Sequence, residues 1–422
     1  MIDEPDAASA FTVTSDATVQ DIDLAGSRVS TVSLRDLPRL RSLTLEASDV
    51  GALDLRDLPA LERLDVSHSP LSALRLDNIP ALDWCTFEDT PIGDRQMQAL
   101  EHLDRLRVLS LASAAVTDRG LSALGRLESL DQLALGWTGV TGSGFAALRH
   151  LSRLQTVSLR FSAVADAGLA HLASLPSLTI LDLYGTHVGD EGLRHLYNAP
   201  ALRTLSLGHT AVGDDGMALL RGVTTVQILD LQSTGIGDEG LALVSHLPAL
   251  HSLNLAYTAV TDYGLRYLER LTSLQGLNLA GTAVTDAGLT SIQRMAQLRA
   301  LNVAATEISD TGLAQLTPLV HLHTLSLNYG PGDAGFAHLR ALPALETLTV
   351  SGHSLTDRGL AHVAHLTGLQ NLSIVGGMVS DEGAAYLATM TTLRTLELLG
   401  VKTSQHAKAA LRQALSGCRL RL

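Results

Sequence analysis

The chain has 422 residues, a net charge of −13 and 46% hydrophobic residues. Its apolar residues are scattered at short spacing, so no stretch could span a bilayer, and the acidic balance argues against a nucleic-acid binder. The two cysteines, Cys85 and Cys418, stand at opposite ends of the sequence, which argues against a disulfide framework and fits a reducing compartment.

The first residues, MIDEPDAASAF, are acidic and lack a basic segment followed by an apolar one. No signal peptide is evident there. The expected location is the cytoplasm, or another cell reached by a route that needs no signal peptide. Residues 1–18 read as a lead-in. Phe11 and Val13 alternate with polar residues and predict a strand that caps the first repeat.

From Val19 the sequence repeats. Val19, Leu40, Leu61 and Leu82 open units 21 residues apart. Residues 19–81 form three such units, whose second halves read VSTVSLRDLP, VGALDLRDLP and LSALRLDNIP. These halves alternate and end in proline, so they predict short extended segments. From Leu82 the step lengthens to 24 residues, with one step of 23 between Leu322 and Leu345. Residues 82–416 hold fourteen such units, making 17 repeats in one continuous domain. Each pairs an alternating, strand-like half with a half whose apolar residues recur three apart, as on one helix face. Neither half buries its apolar edge alone, but stacked copies do. Residues 417–422, GCRLRL, place Leu420 and Leu422 at strand positions and predict a capping half-repeat.

Twelve repeats carry Asp just before the helical run, among them Asp118, Asp238 and Asp286. An Asp there is expected to cap the free N–H groups of its own helix, which makes most of the acidic excess structural. In the repeat reading VTGSGF, Gly142 replaces it. Eight repeats place Thr after the strand, from Thr90 to Thr306, and the row then breaks, with His353, Gly377 and Val401 in that place. Its hydroxyls are expected to satisfy turn backbone groups.

The pattern L-x-x-L-x-L-x-x-T-x-V-T-D-x-G-L-x-x-L, seen as LTILDLYGTHVGDEGLRHL from Leu178 and LHSLNLAYTAVTDYGLRYL from Leu250, resembles the leucine-rich repeat superfamily, most closely its ribonuclease-inhibitor-like branch. The departure is Thr where the commonest form has Asn. The resemblance implies an α/β solenoid curved into a horseshoe, with a parallel β-sheet on the concave face and helices on the convex face. The N-terminal repeats keep an extended convex side. It also implies a non-enzymatic scaffold that binds a partner protein.

Residues between and just after the strand leucines are expected to line the concave sheet. The chain has only 14 aromatic residues, yet several fall there. Exposed aromatics on a rigid surface are typical of interaction hot spots. The expected partner-binding residues are therefore Trp137, Arg160, Phe161, Tyr184, His209, Asp230, Gln232, Asn254, Tyr257 and Tyr329. Asn254, Asn278 and Asn302 are expected to form a side-chain ladder continuing from Asp230. A bacterial protein acting as an effector or inhibitor, as a monomer, fits this reading and the scarcity of lysine. Lys402 and Lys408 are the only two lysines against 28 arginines. A glycan or small-molecule binder using the aromatic row is the alternative. No cofactor or metal is expected: one carboxylate among amides is poor for calcium, and the histidines recur at helix positions on the convex side. No phosphate loop, nucleophile elbow or HExxH motif is present.

Overall fold

The computed structural model describes residues 9–328, 330–352 and 354–422. Packing divides the chain into two units, one through Ala211 and one from Val212. Both are solenoids of stacked repeats, each repeat adding one strand to a parallel sheet.

In the first unit two parallel sheets lie on opposite sides of the early repeats. On the sheet face the strands Asp21–Asp23, Ser42–Thr44, Arg63–Asp65 and Trp84–Thr86 pair in chain order. Five more continue the sheet, from Val108–Ser110 to Thr204–Ser206. On the other side Ser9–Thr14, Val29–Arg35, Ala52–Arg56 and Ala73–Asp77 form a second parallel sheet. The lead-in is thus a strand beside Val29–Arg35, and the alternation of the short repeats is extended structure, as their sequence indicates.

After Leu82 the second sheet gives way to helical turns. The first are 3-10 segments, Gln96–Leu100, Gly120–Leu124 and Phe145–His150, tighter than the α-helix the sequence suggests. An α-helical turn first appears at Leu169–Leu172. The second unit carries α-helices such as Asp214–Leu220 and Asp238–Val244.

In the second unit the strands Ile228–Asp230, Ser252–Asn254, Gly276–Asn278 and Ala300–Asn302 are three residues long. From Thr324–Asn328 to Thr395–Leu399 they are five. The change coincides with the end of the threonine row. Each Thr hydroxyl donates to the carbonyl three residues back, as in Thr138 to Leu135 at 2.6 Å and Thr282 to Leu279 at 2.6 Å. That bond folds the chain into a turn after the third leucine. The turn also forms without it, since the repeat with Ala114 in that place keeps a three-residue strand, Val108–Ser110. The second unit closes with the helix Gln405–Ala414 and the strand Arg419–Arg421, paired with Thr395–Leu399.

The leucine columns are the core. Leu133, Leu181, Leu229, Leu253 and Leu277 are all at most 3% exposed, and each buried leucine contributes roughly 1.5–3 kcal/mol. Cys85 takes a leucine place in register with Leu64 and Leu109. Its burial pushes the thiol well above its ordinary pKa.

The aspartates correct the expectation of helix capping. Asp238 is the first residue of its helix, not the residue before it. Its carboxylate reaches the next repeat, accepting from the Thr261 N–H at 2.8 Å and the Thr261 hydroxyl at 2.7 Å. Thr261 is the N-cap of that next helix and accepts in turn from the Tyr263 N–H at 3.2 Å. Asp262 with Thr285, and Asp357 with Ser380, repeat the arrangement. The side chain at the first helical position points toward the neighbouring turn, so the aspartate staples repeats together; the capping is done by Thr or Ser where one precedes it, as at Thr261, and by no side chain where Gly237 does. The glycine of D-x-G-L makes room: a Cβ on Gly192 would fall 2.6 Å from Asp166 Oδ1.

The irregular repeat at Gly142 is accommodated locally. Gly142 has φ +101°, and a Cβ there would lie 2.6 Å from the Gly168 Cα. The two backbones close the gap that an aspartate would fill. Both irregular repeats also carry a fully buried Phe, Phe145 and Phe336, where most repeats have Leu.

Candidate functional site: an aromatic row at the strand exits

The aromatic residues do not sit in the strands. In the first unit Gln132–Ala134 ends at the residue between the second and third leucines. Trp137 lies beyond it, in the turn, with φ 58°. Phe161 and His209 occupy the same turn position, at φ 53° and 56°. Tyr184 precedes Gly185, which takes the left-handed position at φ 68°. Of the aromatics placed on the sheet by the leucine spacing, only Trp84 among the described residues lies in a strand, covered by the Arg63 guanidinium 4.3 Å from its ring. The alternation of leucines sets which residues face the core. It does not show where a left-handed turn ends the strand.

The row is continuous. Trp137 stacks on Phe161 with ring centroids 4.2 Å apart and planes 26° apart. Phe161 meets Tyr184 edge-on at 5.4 Å, and Tyr184 meets His209 at 4.9 Å. Arg160 lies over the Tyr184 ring at 4.4 Å and pairs with Asp182 at 3.2 Å. Asp182 also accepts from the Tyr184 N–H. Gly185 is required here, because a Cβ on it would fall 2.5 Å from Phe161 Cδ1. Trp137 remains 61% exposed and Phe161 39%.

Backbone ladders hold the row. The Trp137 N–H donates to the Arg160 carbonyl and the Phe161 N–H to the Tyr184 carbonyl, both at 2.8 Å. The left-handed conformation costs a non-glycine residue roughly 1–2 kcal/mol. Aligned turns use Ser113 or Gly185 there. Every non-glycine residue in this place carries that strain, Ser113 and Ala305 as much as Trp137, so it belongs to the turn and not to the aromatic side chains.

The remaining predicted residues belong to the second unit. Asp230 Oδ1 accepts from the Gln232 N–H at 3.0 Å, and Asn254 Nδ2 donates to Gln232 Oε1 at 3.3 Å. Tyr257 is in the left-handed turn position, 60% exposed, with its ring over Gly281. The asparagines do not form a ladder. Asn254, Asn278 and Asn302 each accept, through Oδ1, from their own chain two residues on, at Ala256, Ala280 and Ala304. This local bond is shorter-range than a bond to the next repeat and prevails. Tyr329 and His353 lie outside the described residues.

Sequence reasoning missed Gly185 and Gly281, which leave room for the rings, and a shallow depression of about 260 Å³ around Asn278. Among the described residues, no group of three His, Cys, Asp or Glu side chains is placed to hold a metal. No helix among them is long and apolar enough to cross a membrane.

A family model described as a leucine-rich repeat region matches residues 155–420, and a second, described as a leucine-rich repeat, matches residues 106–125. The chain belongs to the leucine-rich repeat family. No curated protein matches it. Among solved structures it is similar to an internalin from Listeria monocytogenes, at 23% identity over 76% of this chain and 82% of that one, with a TM-score of 0.46. It is also similar to a leucine-rich repeat protein of Leptospira interrogans, at 18% identity over 96% of each chain and a TM-score of 0.45. TLR13, solved as a complex with ssRNA13, matches at 16% identity over 93% of this chain and 62% of that one, with a TM-score of 0.54. At 16% identity the likeness to TLR13 shows the fold alone. Leucine-rich repeat proteins as a class are binding scaffolds.

Proposed function

We propose that the chain is a non-enzymatic scaffold that binds a partner protein along the strand-exit turns of its first unit. The observation that carries this is the continuous ring row Trp137–Phe161–Tyr184–His209 at the strand exits, with Trp137, Phe161 and His209 exposed and Tyr184 half-buried. A row spread over four repeats suits a protein surface better than a small ligand, which would fill one enclosed pocket. Arg160, paired with Asp182, adds a cation at its centre. The net charge of −13 favours a protein over a nucleic acid. Within this reading we place it as a bacterial protein acting on a host or rival protein. The lysine-free stretch of residues 1–401 supports that placement, and two free cysteines support a reducing compartment.

The test replaces Trp137 and Phe161 by Ser, which the aligned turns at Ser113 and Ser233 already accept. A partner captured by the intact chain and then purified should bind the Trp137→Ser, Phe161→Ser variant at least ~30-fold more weakly, the ~2 kcal/mol expected of a hot spot. His171→Ala with His195→Ala, on the opposite side, should bind as before. Unchanged affinity in the serine variant, or loss in the histidine variant, overturns the proposal.

A further inference from the structure

The sheet face of the second unit carries a feature that a protein-binding row on the first unit does not use. The depression around Asn278 spans the strands from Ser252–Asn254 to Thr324–Asn328. Gly276 and Ala300 line it where the aligned residue of an earlier strand is Ile228. Asn254, Asn278 and Asn302 stand side by side along it, and no charged side chain lines it.

The asparagines present surplus donors. Their turn bonds use only Oδ1. Asp182 and Asp230 make the same turn bond with a carboxylate, so the turn does not require an amide. Three neighbouring carboxylates would repel one another, and amides avoid that while adding two N–H donors each. Asn254 spends one on Gln232. Among the described residues, no protein acceptor takes a hydrogen bond from Nδ2 of Asn278 or Asn302.

An uncharged, half-buried array of donors matches an uncharged ligand rich in oxygen. Its spacing selects further. Neighbouring strands lie ~4.8 Å apart, whereas an extended peptide advances ~3.4 Å per residue and falls out of step. An extended β-1,4-linked sugar chain advances by close to one strand spacing per pyranose, so each ring meets one asparagine. Tyr257, in the turn after Asn254, supplies an exposed aromatic face of the kind on which the C–H face of a sugar stacks. Beyond Asn302 the row continues with the hydroxyls of Ser326 and Thr349.

We infer that this face binds a linear, uncharged, β-1,4-linked oligosaccharide, with Asn278 and Asn302 as donors and Tyr257 as the stacking platform. The inference is independent of the protein-binding row.

Isothermal titration of the full chain with cellohexaose and chitohexaose tests it. At least one should bind, with an affinity insensitive to salt, and maltohexaose, whose α-linkage coils the chain, should not. Asn278→Asp with Asn302→Asp keeps the turn bonds, as Asp230 does, and should weaken binding at least about tenfold in a chain that still folds, the two adjacent carboxylates lowering the melt only slightly. Gly276→Ile fills the depression with the side chain that Ile228 already places on this face, and should abolish binding. Trp137→Ser with Phe161→Ser should leave it intact, which separates failure here from failure of the protein-binding reading. No binding of either β-linked hexasaccharide, equal binding of maltohexaose, or preference for an uncharged extended peptide overturns the inference. So does binding that ignores both Gly276→Ile and the asparagine pair.

Discussion

Removing the Asp238 carboxylate should cost far more than removing a helix cap. Asp238→Ala deletes two hydrogen bonds to an ionised acceptor, from the Thr261 N–H and hydroxyl. Bonds to charged groups contribute ~1.5–3 kcal/mol each. Asp238 and Thr261 are half-buried, so water recovers part of that, and about 2–4 kcal/mol remains. A simple N-cap loss costs about 0.5–2 kcal/mol. Leu229→Ala, which hollows the core, costs about 2–5 kcal/mol. The aspartate should therefore rival a core leucine. Repeat arrays can unfold in parts, so the assay is hydrogen exchange read residue by residue. In Asp238→Ala the Thr261 and Tyr263 amides should lose protection first, although they lie in the following repeat. A double-mutant cycle with Thr261→Val assigns the energy to the pair: coupling well above the ~0.5 kcal/mol scatter of additive sites is expected. Additivity, or loss of protection confined to residues 239–244, would show that Asp238 acts on its own helix and refute the staple.

The same stapling geometry governs two further substitutions. Gly142→Asp restores the residue that twelve aligned repeats carry, yet it should destabilise by ~2 kcal/mol or more, because φ is +101° and the new Cβ would lie 2.6 Å from the Gly168 Cα; a raised melting temperature would refute this. Burial raises the pKa of the Asp118 carboxyl, but hydrogen bonds from the Thr141 hydroxyl and the Gly144 and Thr141 N–H groups outweigh it and hold it below the ordinary 3.8. A depressed folded-state pKa gives stability that is present above the unfolded value and lost as pH falls through the folded one, so Asp118→Asn should flatten the acid limb of stability below about pH 4, and an unchanged limb would remove Asp118 from that balance.

The period of the leucines made the stacking legible, because burial of one strand edge and one helix edge admits few other solutions. The prolines Pro38, Pro59 and Pro80 marked the repeats whose second half is extended. The threonine row announced its own role, since a hydroxyl three residues after a carbonyl reaches it without help from a neighbour. What a single repeat cannot show is which of its groups serve the next one. Asp238, Thr261 and Gly264 belong to one contact but are read as parts of two separate units. The repeated triad of Thr or Ser, then Asp, then Gly two residues on was the available signal.

The placement of the aromatic row turned on a smaller ambiguity. Two residues separate the third leucine from the threonine, and the second of them is left-handed. The aligned column holds Gly26, Asp89, Ser113, Gly185 and Ser233, which suit such a position, but also Ala47 and Ala305, which do not. Within that column Trp137, Phe161, His209 and Tyr257 carry the rings, and no backbone preference selects them there. A strand would accept an aromatic side chain as an ordinary β-former, so its presence there would mean little. A left-handed turn does not, and the ladders from Trp137 to Arg160 and from Phe161 to Tyr184 hold the backbone there whatever the side chain, as they do at Ser113 and Ser233. The correction from strand to turn thus supports the functional reading of the row, because a left-handed position gives an aromatic side chain none of the preference that a strand would.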